Sequence, residues 1–224
     1  MRVMLKTDEY NINVIDNRNL YLTGSFLILL SVIIQNVLII LAILSIVQFL
    51  IILFQTIINH YLNQLVYKST TIDCYNRNYL NKIFPKLLLK SEEEINYYFC
   101  LSDLDGLSEV NNKYGYEIGD KWISCYVEEA KKNLTKNDFF ARFQEGDEFM
   151  IVLRCSNISE AVQVCKNIQK KVSKCKLKGV DTPISVSIGI SKLVKKDNCL
   201  EDVANRATEA LHEAKKIKNA VKTN

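Results

Sequence analysis

Two pairs of carboxylates stand where chemistry could use them. Asp103 and Asp105 follow the apolar run Tyr97–Leu101, in Ser102-Asp-Leu-Asp-Gly106. Asp147 and Glu148 lie in a tight turn, with Phe139, Phe140 and Phe143 before it and the apolar run Phe149–Leu153 after it. Strand alternation places Asp103 and Asp105 on the same side of the chain. If the two strands are neighbours, three or four carboxylates converge at one edge of a sheet. Like charges at such distances repel and need a cation. Oxygen ligands without His or Cys select Mg2+ or Mn2+ over zinc. Such an ion completes its shell with water and substrate phosphates, and two of them can clamp a phosphoryl transfer. Acids in turns are also ordinary solvated residues. The coincidence of two clusters, each beside an apolar strand, favours the metal reading.

The elements that must position these acids can be read from periodicity. Tyr75–Leu89 reads as a helix with Leu80, Ile83, Leu87 and Leu88 on one face. Tyr97–Leu101 reads as a buried strand, and Leu107–Tyr114 as a short helix that Gly115 ends. Ile118–Leu134 is a longer helix whose apolar positions include Trp122, Ile123, Tyr126, Val127 and Ala130. After the acidic hairpin come a helix over Glu160–Val172, a strand over Pro183–Ser191 and a final helix over Leu200–Lys218 with a basic end. Strand–helix–strand units with one hairpin predict an α+β sandwich, a mixed central sheet flanked by helices.

Ahead of this domain, residues 1–20 form a short polar tail, and no charged residue occurs from Tyr21 to Ile58. As helix that run would extend roughly 57 Å, against a hydrocarbon core of about 30 Å. It predicts a transmembrane region over residues 21–58, either as two spans turned at Gln35-Asn36 or as one span continuing into an apolar helix. Arg2, Lys6 and Arg18 before the run favour an inside N-terminus and hence two spans. Residues 59–72 carry Tyr61, Leu62, Leu65 and Val66 at helical spacing and read as a helical linker that could pair with a second copy; His60 reads as an interfacial side chain. Net charge is +4 with no basic block interleaved with aromatics, which argues against nucleic-acid binding. The 7 cysteines are scattered without a CxxC pair and are expected to be reduced thiols of a cytosolic domain.

Phe99–Asp120, with Ser102-Asp-Leu-Asp-Gly106 inside it, and Ala141-Arg-Phe-Gln-Glu-Gly-Asp-Glu-Phe149 resemble the GGDEF domain of diguanylate cyclases. Tyr75-Asn-Arg77, Val186-Ser-Ile-Gly-Ile190 and Ala210-Leu-His-Glu-Ala-Lys215 resemble that family's remaining markers, in its order and at nearly its spacing. The resemblance covers about residues 69–219, and the domain itself is placed at 73–219, with 220–224 a C-terminal tail. It implies a palm-like fold and condensation of two GTP into cyclic di-GMP, with one GTP per subunit of a homodimer and Mg2+ or Mn2+ as cofactor. It further implies an inner-membrane protein, multi-pass if the two-span reading holds, with the GGDEF domain in the cytoplasm. Residue by residue, it implies that Asp103, the Leu104 backbone, Asp147 and Glu148 hold metal. Asp147 would also assist deprotonation of the attacking 3′-hydroxyl, with Glu148 beside it in the catalytic signature. Asn111 and Asp120 would read the guanine edge, which offers both acceptors and donors, and Lys215 would contact the triphosphate.

The departures from the family pattern are as specific. Glu145 replaces the signature's first glycine and Gln144 is an extra residue; Leu107-Ser108 stand for the usual Phe-Lys, Asn112 for an Asp and Tyr116 for a His. Ile72-Asp73 stand for the Thr-Gly that opens the domain, and Lys218-Asn219-Ala220 for the terminal Gly-Arg-Asn, where Lys216 or Lys218 could substitute for the arginine. The product-inhibition motif survives only as Asp138 in Thr135-Lys-Asn-Asp138, without its arginine. Two functions compete: an active cyclase without that feedback site, and a catalytically degenerate domain that signals by binding GTP or a partner protein. A cyclase of different nucleotide preference is disfavoured because Asn111 and Asp120 are both kept.

Overall fold

In the computed structural model, residues 17–69, 72–92, 95–144 and 146–224 are described, the side chains of 17–22 and 92 excepted. Most of the expected polar tail, together with Thr70, Thr71 and Glu145, lies outside the described residues. The chain divides into two compact units, one ending at Asn59 and the other beginning at His60.

The first unit is built on α1 (Asn17–Tyr67), which is helical without interruption through Gln35 and Asn36. The two-span hairpin expected from the sequence is therefore not supported. Neither Gly nor Pro stands at that point to close a turn, and a continuous helix satisfies every backbone group within itself. Its apolar side chains, such as Phe26, Ile28, Phe49 and Phe54, are exposed, and from Thr23 onward it is long and apolar enough to cross a membrane.

The second unit carries the sheet. After α1 come β1 (Tyr75–Asn76), α2 (Arg77–Glu92), β2 (Tyr97–Leu104), α3 (Leu107–Tyr114), α4 (Tyr116–Lys132) and β3 (Phe139–Arg142). β4 (Glu148–Arg154), α5 (Ile158–Val172), β5 (Val186–Lys192), α6 (Leu200–Lys215) and β6 (Val221–Thr223) complete it. The strand order is β1-β3-β4-β2-β5-β6, antiparallel through the middle and parallel at both edges. β2 is central, and all eight of its residues are buried. Tyr98, Cys100 and Leu104 face Trp122, Tyr126, Val127, Cys165 and Ile168 of α4 and α5. Phe99 and Leu101 face Leu80, Phe84, Ala207 and Leu211 of α2 and α6. The result is the expected mixed sheet between helical layers.

Two edge strands escaped the sequence. β1 has two residues, too few to show alternation, and β6 lies in residues expected to be a tail yet pairs Ile188 with Val221 and Ile190 with Thr223. The cysteines also differ from expectation in one respect. Cys125 of α4 and Cys175, just after α5, are paired as a disulfide with their Cα atoms 6.8 Å apart, because the packing of α4 on α5 joins two positions 50 residues apart in sequence. Cys74, Cys100, Cys155, Cys165 and Cys199 are free.

α6 lies hard against β5. A Cβ at Gly189 would overlap backbone atoms of Leu211 and Ala207, which cannot swing aside as a side chain could. Further along α6, Arg206 reaches the buried Asp197 carboxylate through Nη1 at 2.7 Å and Nη2 at 2.8 Å, and also donates to the Ser191 hydroxyl and the Lys192 carbonyl. Gly189→Ala should therefore destabilise the protein by about 3 kcal/mol, the upper range for overpacking. Urea unfolding followed by tryptophan fluorescence checks this, and a loss under about 0.5 kcal/mol, the scale of an ordinary surface change, would show that the contact is loose.

Candidate active site

The carboxylates meet where β2 and β4 lie side by side. In that antiparallel ladder Asp103 is the direct partner of Glu148. Asp147 precedes Glu148 in the turn that links β3 to β4. The turn is held by Phe143 N–H donating to the Glu148 carbonyl at 2.9 Å and by Arg142 Nε donating to the Gly146 carbonyl at 3.0 Å. Gly146 sits at φ 108°, a conformation that side-chain-bearing residues rarely adopt. Glu145, the residue on which the signature departs, lies outside the described residues.

Asp103 is only 6% exposed. Lys215, the last residue of α6, donates to its Oδ2 at 2.5 Å. Burial pushes the Asp103 carboxyl up from its ordinary 3.8 to about 6; the Lys215 hydrogen bond opposes this, and the negative charges of Asp147 and then Glu148 add to it. One oxygen of Glu148, Oε2, is buried with no hydrogen-bond partner. An orphaned carboxylate oxygen beside a carboxyl that resists ionisation marks a place short of positive charge. Oxygen donors alone suit Mg2+ or Mn2+. Among the described residues no three acids are drawn close enough to form a ready-made cage.

Asp105 does not join this group. The spacing reading put it with Asp103, but the strand ends at Leu104 and the chain turns toward β5. There Asp105 accepts from Ser187 Oγ at 2.7 Å, Ser185 Oγ at 3.0 Å and Asn219 N–H at 2.9 Å. The two serines were legible as a period-two pair in the strand, although nothing in the sequence said what they faced. Leu104 itself is buried at the strand end, with its backbone opposite Val186.

Asn111 on α3 and Asp120 on α4 are brought together by the sharp α3–α4 corner at Gly115. Gly119 makes the close approach possible, since a Cβ there would overlap the Asn111 carboxamide. The Asn111 Oδ1 is buried without a partner, while Asp120 is exposed one residue beyond Gly119. A buried amide oxygen without a partner and an exposed carboxylate on the next helix are side-chain types suited to a planar ring that carries donors and acceptors. Asp138, the remnant of the inhibitory motif, is engaged elsewhere. It accepts from Thr135 N–H and Oγ, both at 2.7 Å, and from Arg154 N–H at 2.9 Å, so it closes a turn and ties it to β4.

Residues 70–220 match the family described as diguanylate cyclase, GGDEF domain. The chain belongs to the GGDEF family. Its relatives include the diguanylate cyclase DgcP of Pseudomonas aeruginosa, 30% identical over 51% of this chain and 17% of that protein. An uncharacterised membrane protein of Staphylococcus epidermidis is 28% identical over 72% of this chain and 46% of that one. The chain thus spans less than half the length of either relative. The coiled coil and GGDEF domain of DgcB from Caulobacter crescentus, solved in complex with c-di-GMP, has the same fold, with a TM-score of 0.67 at 20% identity over 75% of this chain and 92% of that one. The second unit thus carries a like-charge cluster where β2 meets β4 and a separate polar corner between α3 and α4.

The raised titration of Asp103 has a definite sign. Between about pH 4 and 6 the folded, metal-free protein binds more protons at this carboxyl than the unfolded chain does, so this contribution to stability falls as pH rises through that window. Asp103→Asn removes the term. In EDTA, the melting temperature of the variant relative to wild type should rise from pH 4 to pH 7; an unchanged or falling difference would mean that Asp103 is not desolvated.

Proposed function

We propose that this chain is a membrane-anchored diguanylate cyclase that condenses two GTP into cyclic di-GMP with release of two pyrophosphates. The observation that carries the proposal is the pairing of Asp103 with Glu148 across the β2–β4 ladder, with Asp147 beside them and Glu148 Oε2 left without a partner, in a chain of the GGDEF family. Asp103, the Leu104 backbone, Asp147 and Glu148 hold Mg2+ or Mn2+. When bound, the ion neutralises phosphate charge and favours ionisation of the attacking 3′-hydroxyl. Asp147 accepts the proton of that hydroxyl. Lys215, already at the acid cluster, offsets charge that develops on the phosphates. Asn111 and Asp120 take the guanine edge. Each subunit supplies one such half-site, so turnover needs a homodimer. With Asp138 closing a turn and its arginine partner absent, the enzyme works without the family's feedback site.

We further propose that α1 anchors the protein by a single span, with residues 59–72 linking it to a GGDEF domain over 73–219 in the cytoplasm, where GTP is found. The apolar length of the helix from Thr23 and the membrane-protein relative support this. A second reading, a GTP-binding domain that signals without catalysis, is favoured by Glu145, which adds negative charge beside an anionic substrate, and by Ser108 in place of a lysine.

Incubation of the purified protein with GTP and Mg2+ or Mn2+, with products resolved by chromatography, separates the two readings. Cyclic di-GMP is expected, Asp147→Ala should lower its rate about a hundredfold or more, and Glu145→Gly should raise it. Retained GTP binding with no product would sink the cyclase reading in favour of the second.

A further inference from the structure

The last pair of the β2–β4 ladder sets acid against acid, Asp103 opposite Glu148, and β4 begins there. Like charges directly opposite on neighbouring strands push a ladder apart. Lys215 offsets the charge of Asp103, but Glu148 Oε2 has no partner. One pair inward, Ser102 stands opposite Phe149. Ser102 Oγ donates to the Phe149 carbonyl at 2.9 Å and lies 2.5 Å from Tyr126 Oη. The serine has one proton to give, and the carbonyl can only accept it. The Tyr126 hydroxyl is therefore the donor to Ser102, and a directed chain of hydrogen bonds runs from α4 through β2 to β4. Both side chains are fully buried.

This chain lies behind the acids. Along β2, Tyr98, Cys100 and Leu104 face α4 and α5, while Phe99 and Leu101 face α2 and α6. Alternation puts Ser102 with the first set and Asp103 with the second, where Lys215 of α6 meets it. Tyr126 also holds Phe149 by its ring, edge to face with centroids 5.4 Å apart, and Phe140 of β3 stacks on the same ring at 5.4 Å. The residue after Glu148 is thus gripped by ring and by carbonyl from the face that the acids do not use. An apolar pair could fill this space without burying two hydroxyls. What the hydroxyls add is a cross-strand bond at the pair next to the acids.

We propose that Ser102 and Tyr126 are positioning residues: their hydroxyl chain clamps β2 to β4 one pair behind Asp103 and Glu148, and so keeps the two acids at the spacing that a shared cation needs. This rests on the reading of the acids as a cation site for GTP turnover. Both residues act through the strands and touch neither metal nor nucleotide.

The test uses the full chain in detergent. Ser102→Ala combined with Tyr126→Phe removes both hydroxyls together, so no buried polar group is left unpaired and the packing is kept. Without metal or nucleotide, amide hydrogen exchange at Asp103, Leu104, Glu148 and Phe149 should be about tenfold faster in this double variant, the scale of one lost buried hydrogen bond, while Ile190 of β5 is unchanged. Asp103→Asn removes the like-charge pair, and in that background the same two substitutions should change exchange by less than about twofold. Unchanged exchange in the double variant, or equal acceleration in both backgrounds as a merely structural role requires, would overturn the proposal. The affinity for Mn2+ is then read by electron paramagnetic resonance in the presence of α,β-methylene GTP, in which the bond broken in turnover is replaced. It should fall about tenfold in the double variant, and equal affinity would overturn the positioning role. If wild type binds no Mn2+, the cation site falls and the positioning role with it, whereas the exchange result still reports the clamp by itself.

Discussion

An aspartate at the end of a strand buried on both faces is the constraint on which the site depends. β2 is the middle strand of the sheet, so Asp103 cannot reach open water, and its ladder partner is another acid. Two carboxyls so placed require positive charge or a proton. Lys215 supplies one charge, and it can do so only because α6 lies against β5 closely enough for its last residue to reach the end of β2. Gly189 permits that approach and the buried Arg206–Asp197 pair braces the same helix. A buried, hydrogen-bonded pair of this kind costs several kcal/mol to break on one side, whatever its net worth. The electrostatics at the end of β2 are thus set by how the adjacent helical layer packs on the sheet.

The end of β2 also explains why one acid of the Asp-Leu-Asp segment lies beside Glu148 and the other does not. Inside a strand, positions two apart share a face, and that rule would send Asp105 after Asp103. The strand stops at Leu104, the rule lapses, and Asp105 swings to the serines of β5 and the backbone of Asn219. The family resemblance assigned Asp103 alone to metal, and the local geometry gives the physical reason for this division.

Much of the fold was legible because β2, β4 and β5 are long enough to show apolar runs or alternation, and the helices of the second unit carry clear apolar faces. The acid pairs were legible for the same reason, each being attached to such a run. Their pairing was not. The register that sets Asp103 opposite Glu148 joins residues far apart in the chain, and no local pattern encodes it. The same holds for the Cys125–Cys175 disulfide, made by helix packing, and for β1 and β6, which are too short to show a period. The hairpin expected in α1 failed for a different reason. An uncharged run carries no signal for a turn, so charge asymmetry alone was asked to set the number of spans.

We propose that the acids where β2 meets β4 form a cation site completed by the phosphates of GTP. The most direct measurement is Mn2+ binding by electron paramagnetic resonance, with and without α,β-methylene GTP, in wild type and Asp103→Asn. Weak binding to the protein alone, marked tightening with the nucleotide and loss of that tightening in the variant are expected. Equal tightening in wild type and Asp103→Asn would contradict it.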